Sequence, residues 1–176
     1  MQNLNDPKKI LVINIFGIGD VLFTTPLVAN LKAQFPKASI GYVCNERSFA
    51  ILKNNSHIEK IFIYSRDEWV GVYKKSIFAY FNKLRGFIKA IKQEGYDCVF
   101  DLSLSGFMGF ITKAAGIPTR VGYNYKNRNP FLTKNIALKG YEGKHVVEYY
   151  LDLLNFCGLT AAQQDMQLNI PQEDAA

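Results

Sequence analysis

Hydrophobic positions fall along this chain in two alternating rhythms. Residues 10–14 begin as an unbroken apolar run, the pattern of a strand buried on both faces of a parallel sheet. Over 20–35 the apolar residues Val21, Leu22, Val28, Leu31 and Phe35 share roughly one helical face. Pro26 interrupts that pattern and predicts either a kink or a late helix start. Strands are predicted next at 39–44 and 58–64, with a short helix over 47–53 between them. The basic, aromatic stretch 65–77 reads as a loop or a partly helical excursion. A helix over 77–93, ended by Gly95, leads to a fourth strand at 97–101. Residues 105–115 predict a helix, 120–123 a fifth strand and 125–130 a polar loop. The last predicted helix, 145–156, is closed by Cys157 and Gly158.

Strand–helix alternation at this spacing predicts an α/β, Rossmann-like three-layer domain with a parallel sheet and right-handed crossovers. Ligands of such sheets sit outside the carboxyl ends of the strands. Asp20 and the stretch from Asp101 through Ser103 to Ser105 both follow such ends. The tail 163–176 alternates weakly through Met166, Leu168 and Ile170 before Pro171. It reads as a linker, which leaves 1–162 as the folded domain.

Composition narrows the function classes. At 176 residues and 48 % hydrophobic content the chain can bury a proper core and is not disordered. Its formal charge of +6 favours anionic partners. The cations are scattered, with local clusters at Lys74-Lys75 and at Lys126 to Arg128, so no dense nucleic-acid stripe is expected. Cys44, Cys98 and Cys157 match no zinc spacing, and no metal is expected. Cys44 and Cys98 lie in apolar runs and read as buried free thiols, which suits a reducing compartment. The N-terminus is polar, and no apolar run approaches the roughly 20 residues that span a bilayer. A cytoplasmic location is therefore expected, with room for contact at a membrane surface.

The candidate chemistry lies in Phe16-Gly17-Ile18-Gly19-Asp20, between the first strand and the first helix. A dinucleotide fingerprint would want a third glycine where Leu22 stands. Glu46 could serve a ribose, but Asp20 puts a negative charge on the pyrophosphate path. A Walker loop fails, since no Gly-Lys-Ser/Thr follows. A structural reading makes Asp20 a helix cap, where backbone N–H groups and the positive helix end stabilise its charge. A catalytic reading makes Asp20 a general base, with the two glycines clearing space for a substrate hydroxyl. Local physics allows both of the last two.

The stretch "ILVINIFGIGDVLFTTPLVANLKAQFP" resembles the N-terminal motif of the family 9 glycosyltransferases, the lipopolysaccharide heptosyltransferases. "YDCVFDLSLSG", "AAGIPTRVGYN" and "HVVEYYLDLLNFCGL" follow in order and at suitable spacing, so the likeness runs from about Ile10 to Ile170. The resemblance implies the N-terminal, acceptor-binding half of a GT-B fold and metal-free, inverting transfer. The nucleotide-sugar donor, ADP-heptose or similar, would bind a C-terminal half. The acceptor would be an acidic lipopolysaccharide core on lipid A.

The same resemblance places the catalytic aspartate on Asp20 and the acceptor site on the residues before it, Asn14 to Gly19, with Phe16, Gly17, Ile18 and Gly19 as the expected contacts. Many members carry small hydroxyl residues ahead of the glycine–aspartate pair, where this chain has Ile15 and Phe16. The long basic segment before the third helix resembles a mobile acceptor loop, which adds Arg66, Lys74 and Lys75 as contacts to acidic groups. Asp101, Ser103 and Arg120 complete the expected acceptor contacts. No second Rossmann-like half is present, so this chain alone is expected not to turn over, for want of a group to stabilise the leaving diphosphate. A homodimer through the face left by the absent half, and a peripheral contact at the cytoplasmic side of the inner membrane, are further expectations. The competing reading from another class is a non-catalytic Rossmann-like module that binds anionic glycans or nucleotides.

Overall fold

A computed structural model describes residues 4, 6–140 and 143–168. Strand β1 (Lys9–Ile13) has four consecutive fully buried positions, as its apolar run requires. Its side chains alternate between two cores. Ile10 and Val12 enter one hydrophobic cluster; Leu11 and Ile13 enter the other. Around it lie β2 (Ser39–Cys44), β3 (Lys60–Ile63), β4 (Cys98–Asp101), β5 (Thr119–Asn124) and β6 (Lys134–Ala137), all parallel, in the order β3-β2-β1-β4-β5-β6. The chain thus winds outward from β1 in one direction and then, from β4, in the other. The crevice at the carboxyl ends of β1 and β4 is the switch point where such sheets bind ligands.

Helices cover both faces of the sheet. Helix α2 (Thr25–Gln34) and helix α7 (Val146–Phe156) pack their apolar sides on the first cluster. Helix α5 (Ile77–Glu94) and helix α6 (Gly106–Ala114) cover the second. Helix α3 (Phe49–Leu52) is a short turn after β2. The α/β three-layer architecture expected from the alternation is the one observed.

Pro26 acts as a late start. The expected 20–35 helix is two helices, α1 (Ile18–Leu22) and α2, with Pro26 in the first turn of the second. Proline has no N–H to return to the Leu22 carbonyl. The Thr25 hydroxyl donates to that carbonyl instead, at 2.8 Å, and the Thr24 hydroxyl donates to the Val21 carbonyl at 2.6 Å. Two threonines thereby satisfy the break at the residues that cause it.

Two elements differ from the sequence reading. Residues 66–75 form a full helix, α4 (Arg66–Lys75). Asp67 and Glu68 stand in its first turn and Lys74 and Lys75 in its last, an arrangement that complements the helix dipole. Trp69 buries beneath α4 among Tyr64, Tyr80, Phe87 and Phe107, with ring centroids 5.2–5.9 Å away. The sixth strand, β6, was not expected. It is a four-residue edge strand containing Lys134 and Asn135, too short and too polar to show a period.

The loop 125–130 also holds a surprise. Arg128 is 2 % exposed and forms an ion pair with Asp101, itself fully buried. Asp101 also accepts the Ser103 amide (3.0 Å) and the Ser103 hydroxyl (2.5 Å). The end of β4 is thereby tied to the loop after β5.

The tail departs from a free linker for part of its length. Fully buried Asn30 of α2 accepts the Ala162 and Gln163 amides at 2.8 and 3.0 Å and donates to the Gln163 carbonyl at 2.6 Å. The Thr25 hydroxyl accepts the Gln167 amide at 2.8 Å. Residues 162–167 therefore follow α2, while Ile170 and Pro171 lie outside the described residues.

Two outcomes are expected. Arg128→Met should lower stability by about 3–5 kcal/mol in denaturant unfolding, because it strands a buried Asp101 carboxylate. The double variant Asp101→Asn with Arg128→Met should recover part of that loss; an undiminished loss would contradict the account. All three cysteines are free and buried. Burial pushes the Cys44 thiol up to about 12 and the Cys157 thiol up to about 11, and raises Cys98 as well. Since the thiolate is the reactive form, a disulfide-forming thiol reagent should label none of the three in the native chain at neutral pH and all three after denaturation.

Candidate functional site

The chain leaves β1 into Asn14, which is fully buried. Its side chain organises the turn that follows. Nδ2 donates to the Asp20 carbonyl (3.1 Å) and to the Tyr150 hydroxyl (3.4 Å), while Oδ1 accepts the Phe16 amide (3.0 Å). Asn45, just past β2, holds the outer side of the same turn. Its Nδ2 donates to the carbonyls of Ile15 (3.3 Å) and Phe16. Its Oδ1 accepts the Ser48 amide at 2.9 Å. The turn is therefore clamped by two asparagines from neighbouring strand ends.

Gly17 is the N-cap of α1, in extended conformation, and makes no side-chain capping bond. Asp20 falls inside the first turn of α1, so it is not the cap. Among the described residues its carboxylate takes part in no hydrogen bond or ion pair, and it is partly exposed. Neither glycine of the turn is required by a positive φ. A Cβ on Gly19 would meet nothing within 4 Å, and one on Gly17 would meet only the Asp20 Oδ2, at 3.8 Å. Packing within this chain does not demand either glycine. The space in front of the turn is open.

Two clefts flank the turn on the carboxyl edge of the sheet. One, of about 530 Å³, runs between the turn, Asn45–Arg47 and the start of α4. The other, of about 510 Å³, runs from the turn to Ser103, Ser105 and Tyr125. Ile15, Phe16, Tyr64 and Arg66 line both. Phe16 and Arg66, expected at the site, thus form the ridge between the two clefts. Gly17, Ile18 and Gly19 are exposed beside it. Ser103 reaches the second cleft but is only 3 % exposed, and its hydroxyl is committed to Asp101.

Four expected contacts fall elsewhere. Asp101 has no exposed surface, and its carboxylate is occupied by Arg128 and Ser103, so it fixes the fold of the edge rather than meeting a ligand. Arg120 is the second residue of β5, which puts it near the amino edge of the sheet, away from the switch point. Its guanidinium donates to the carbonyls of Phe131 (2.6 Å) and Ile117 (2.5 Å), which replaces an anion by main chain. Lys74 and Lys75 are exposed in the last turn of α4, a helix length from Arg66. Asn14, expected to line the acceptor site, is fully buried and supports the turn instead; Asn45 and Tyr150 are the supporting residues that sequence reasoning missed. A polar residue directly after each of two apolar strand runs was the available signal.

His145 caps α7, accepting the Val147 amide at 3.3 Å while Glu148 accepts the His145 amide at 3.1 Å. Among the described residues no three His, Cys, Asp or Glu side chains converge as metal ligands. No described helix is long and apolar enough to cross a membrane.

Comparison with known proteins places this geometry. The chain is 24 % identical over 157 residues to lipopolysaccharide heptosyltransferase 3 of Escherichia coli K12, covering 88 % of this chain and 44 % of that protein. The crystal structure of a family 9 glycosyl transferase from Veillonella parvula superposes with a TM-score of 0.81 at 22 % identity, covering 98 % of this chain and 48 % of that one. The E. coli heptosyltransferase WaaC with ADP-2-deoxy-2-fluoro heptose superposes with a TM-score of 0.76 at 17 % identity, covering 94 % and 56 %. The chain thus spans about half the length of the relatives it matches. The model of the family described as "Glycosyltransferase family 9 (heptosyltransferase)" matches residues 84–176, more than half of the sequence, and the chain belongs to that family.

Proposed function

We propose that this chain is the acceptor-binding half of a heptosyltransferase-like inverting glycosyltransferase of lipopolysaccharide core synthesis, with Asp20 as its general base. The carrying observation is Asp20 itself. It has a partly exposed carboxylate with no partner among the described residues, beside glycines whose missing side chains leave open space at the switch point. A carboxylate serving only to cap a helix would be bonded to backbone amides.

In the proposed reaction an acceptor hydroxyl gives its proton to an Asp20 oxygen as its own oxygen attacks the anomeric carbon of a nucleotide sugar. The carbon–oxygen bond to the nucleoside diphosphate breaks, and that group leaves with the electron pair. Attack from the opposite face inverts the centre. The donor is assigned to a C-terminal half; its choice as an ADP-heptose or similar sugar is supported by the similar E. coli heptosyltransferase WaaC, solved with ADP-2-deoxy-2-fluoro heptose. Residues 1–162 form the acceptor domain and 163–176 lead toward the donor half. Arg66 on the ridge between the clefts supplies a cation for an acidic acceptor. A cytoplasmic site, where nucleotide sugars are made, goes with this reading.

The test uses a full-length enzyme that contains this chain. Asp20→Ala should lower kcat by about 10²–10⁴-fold, the usual contribution of a positioned base, with KM for the acceptor changed little. Unchanged transfer would remove Asp20 from the chemistry and favour a binding module. The 176-residue chain alone should give no transfer from ADP-heptose; a robust rate would contradict its assignment as half of the catalytic unit.

A further inference from the structure

Helix α4 and helix α5 meet at a single residue, Ser76, whose hydroxyl caps α5 by accepting the Ala79 amide at 3.3 Å. The elbow carries apolar groups with nothing over them. Phe78 is 80 % exposed, Tyr73 57 %, Phe81 54 % and Ile77 44 %. One isolated exposed apolar residue is ordinary, but four around one bend form a patch.

The charge around the patch is of one sign. Between Trp69 and Gln93 the chain holds Lys74, Lys75, Lys83, Arg85, Lys89 and Lys92, and no Asp or Glu. Lys83 is committed to Glu68 and lies over the Trp69 ring. The other five are exposed and make no ion pair among the described residues. Lys74 and Lys75 adjoin the apolar elbow directly, and Arg85 continues the same side of α5 one turn beyond Phe81.

The elbow also projects. Helix α5 has 18 residues, about 27 Å at 1.5 Å per residue. The neighbouring strand β4 has four residues, about 13 Å. Leu84 and Ile91 seat the later part of α5 on the sheet, and its C-terminus leads to the start of β4. Its first turns therefore overshoot the carboxyl edge, the edge that carries Asp20 and the two clefts.

We infer that the α4–α5 elbow is a membrane-docking surface. Ile77, Phe78 and Phe81 enter the interfacial zone of a bilayer, and Lys74, Lys75 and Arg85 meet anionic phospholipid headgroups. Interfacial binding of this kind combines buried apolar area with attraction to negative lipid, and needs no spanning helix. An uncharged partner groove would not explain the one-sided charge, and a second copy of this chain would bring the same cations against themselves. Docking here turns the edge with the clefts toward the lipid surface.

The inference is read without donor or acceptor, so it stands or falls apart from the transfer chemistry. The probe is a flotation assay of the 176-residue chain with phosphatidylcholine vesicles, made with and without phosphatidylglycerol. Binding is expected only to the anionic vesicles and should weaken as salt is raised. Phe78→Ser with Phe81→Ser should reduce it by about tenfold or more, and Lys74→Glu with Lys75→Glu by a similar factor. Unchanged circular dichroism and melting in both variants would confirm that the fold is intact. Three results would overturn the inference: no flotation with anionic vesicles at low salt, flotation equal for the serine variant and the parent, or a concentration-dependent dimer that the serine variant abolishes while no vesicle binds.

Discussion

Everything at the candidate site depends on where β1 ends. The strand is sealed on both faces by apolar contacts, and the first polar side chain after it, Asn14, is still fully buried. A buried amide must find partners for its donor and acceptor groups. Asn14 finds them in the Asp20 carbonyl, the Phe16 amide and the Tyr150 hydroxyl. That requirement shapes the chain into a tight turn, joins it to α7 and sets Asp20 at the switch point. The site is thus a consequence of burying one polar residue at the end of the central strand.

The central strands were legible because a strand covered on both faces needs a continuous apolar run, and 10–14, 39–44 and 97–101 show one. Pro26 was legible as a break for the same local reason: it lacks a donor. The features that escaped are those whose logic is long-range. Helix α4 is polar on average, and what it buries is Trp69 alone, against Tyr64 just past β3 and rings from α5 and α6. Strand β6 exists because β5 offers it an edge. Arg128 looked like one of several surface cations, and only the buried Asp101 explains its position.

The candidate site divides along similar lines. The turn from Phe16 to Asp20 could be located because it is contiguous in sequence. Arg120 could have been discounted, since a residue near the start of a parallel strand lies at the wrong edge for a ligand. Asp101 ends its strand at the right edge, and no local pattern announces that Arg128 consumes its charge. Asn14 and Asn45 act through contacts to main chain six and thirty residues away, beyond what spacing alone conveys.

The central claim is that the turn after β1 and the ridge of Phe16 and Arg66 receive an acidic glycan acceptor in this chain by itself. Amide chemical-shift mapping of the isotopically labelled chain, titrated with a deacylated and phosphorylated lipopolysaccharide core oligosaccharide, tests it most directly. The account predicts saturable shifts concentrated at residues 15–20 and at Arg66, with Arg120 and Thr133 unmoved at the opposite edge. Shifts clustered around Arg120 and Thr133, or none at all at millimolar ligand, would contradict it.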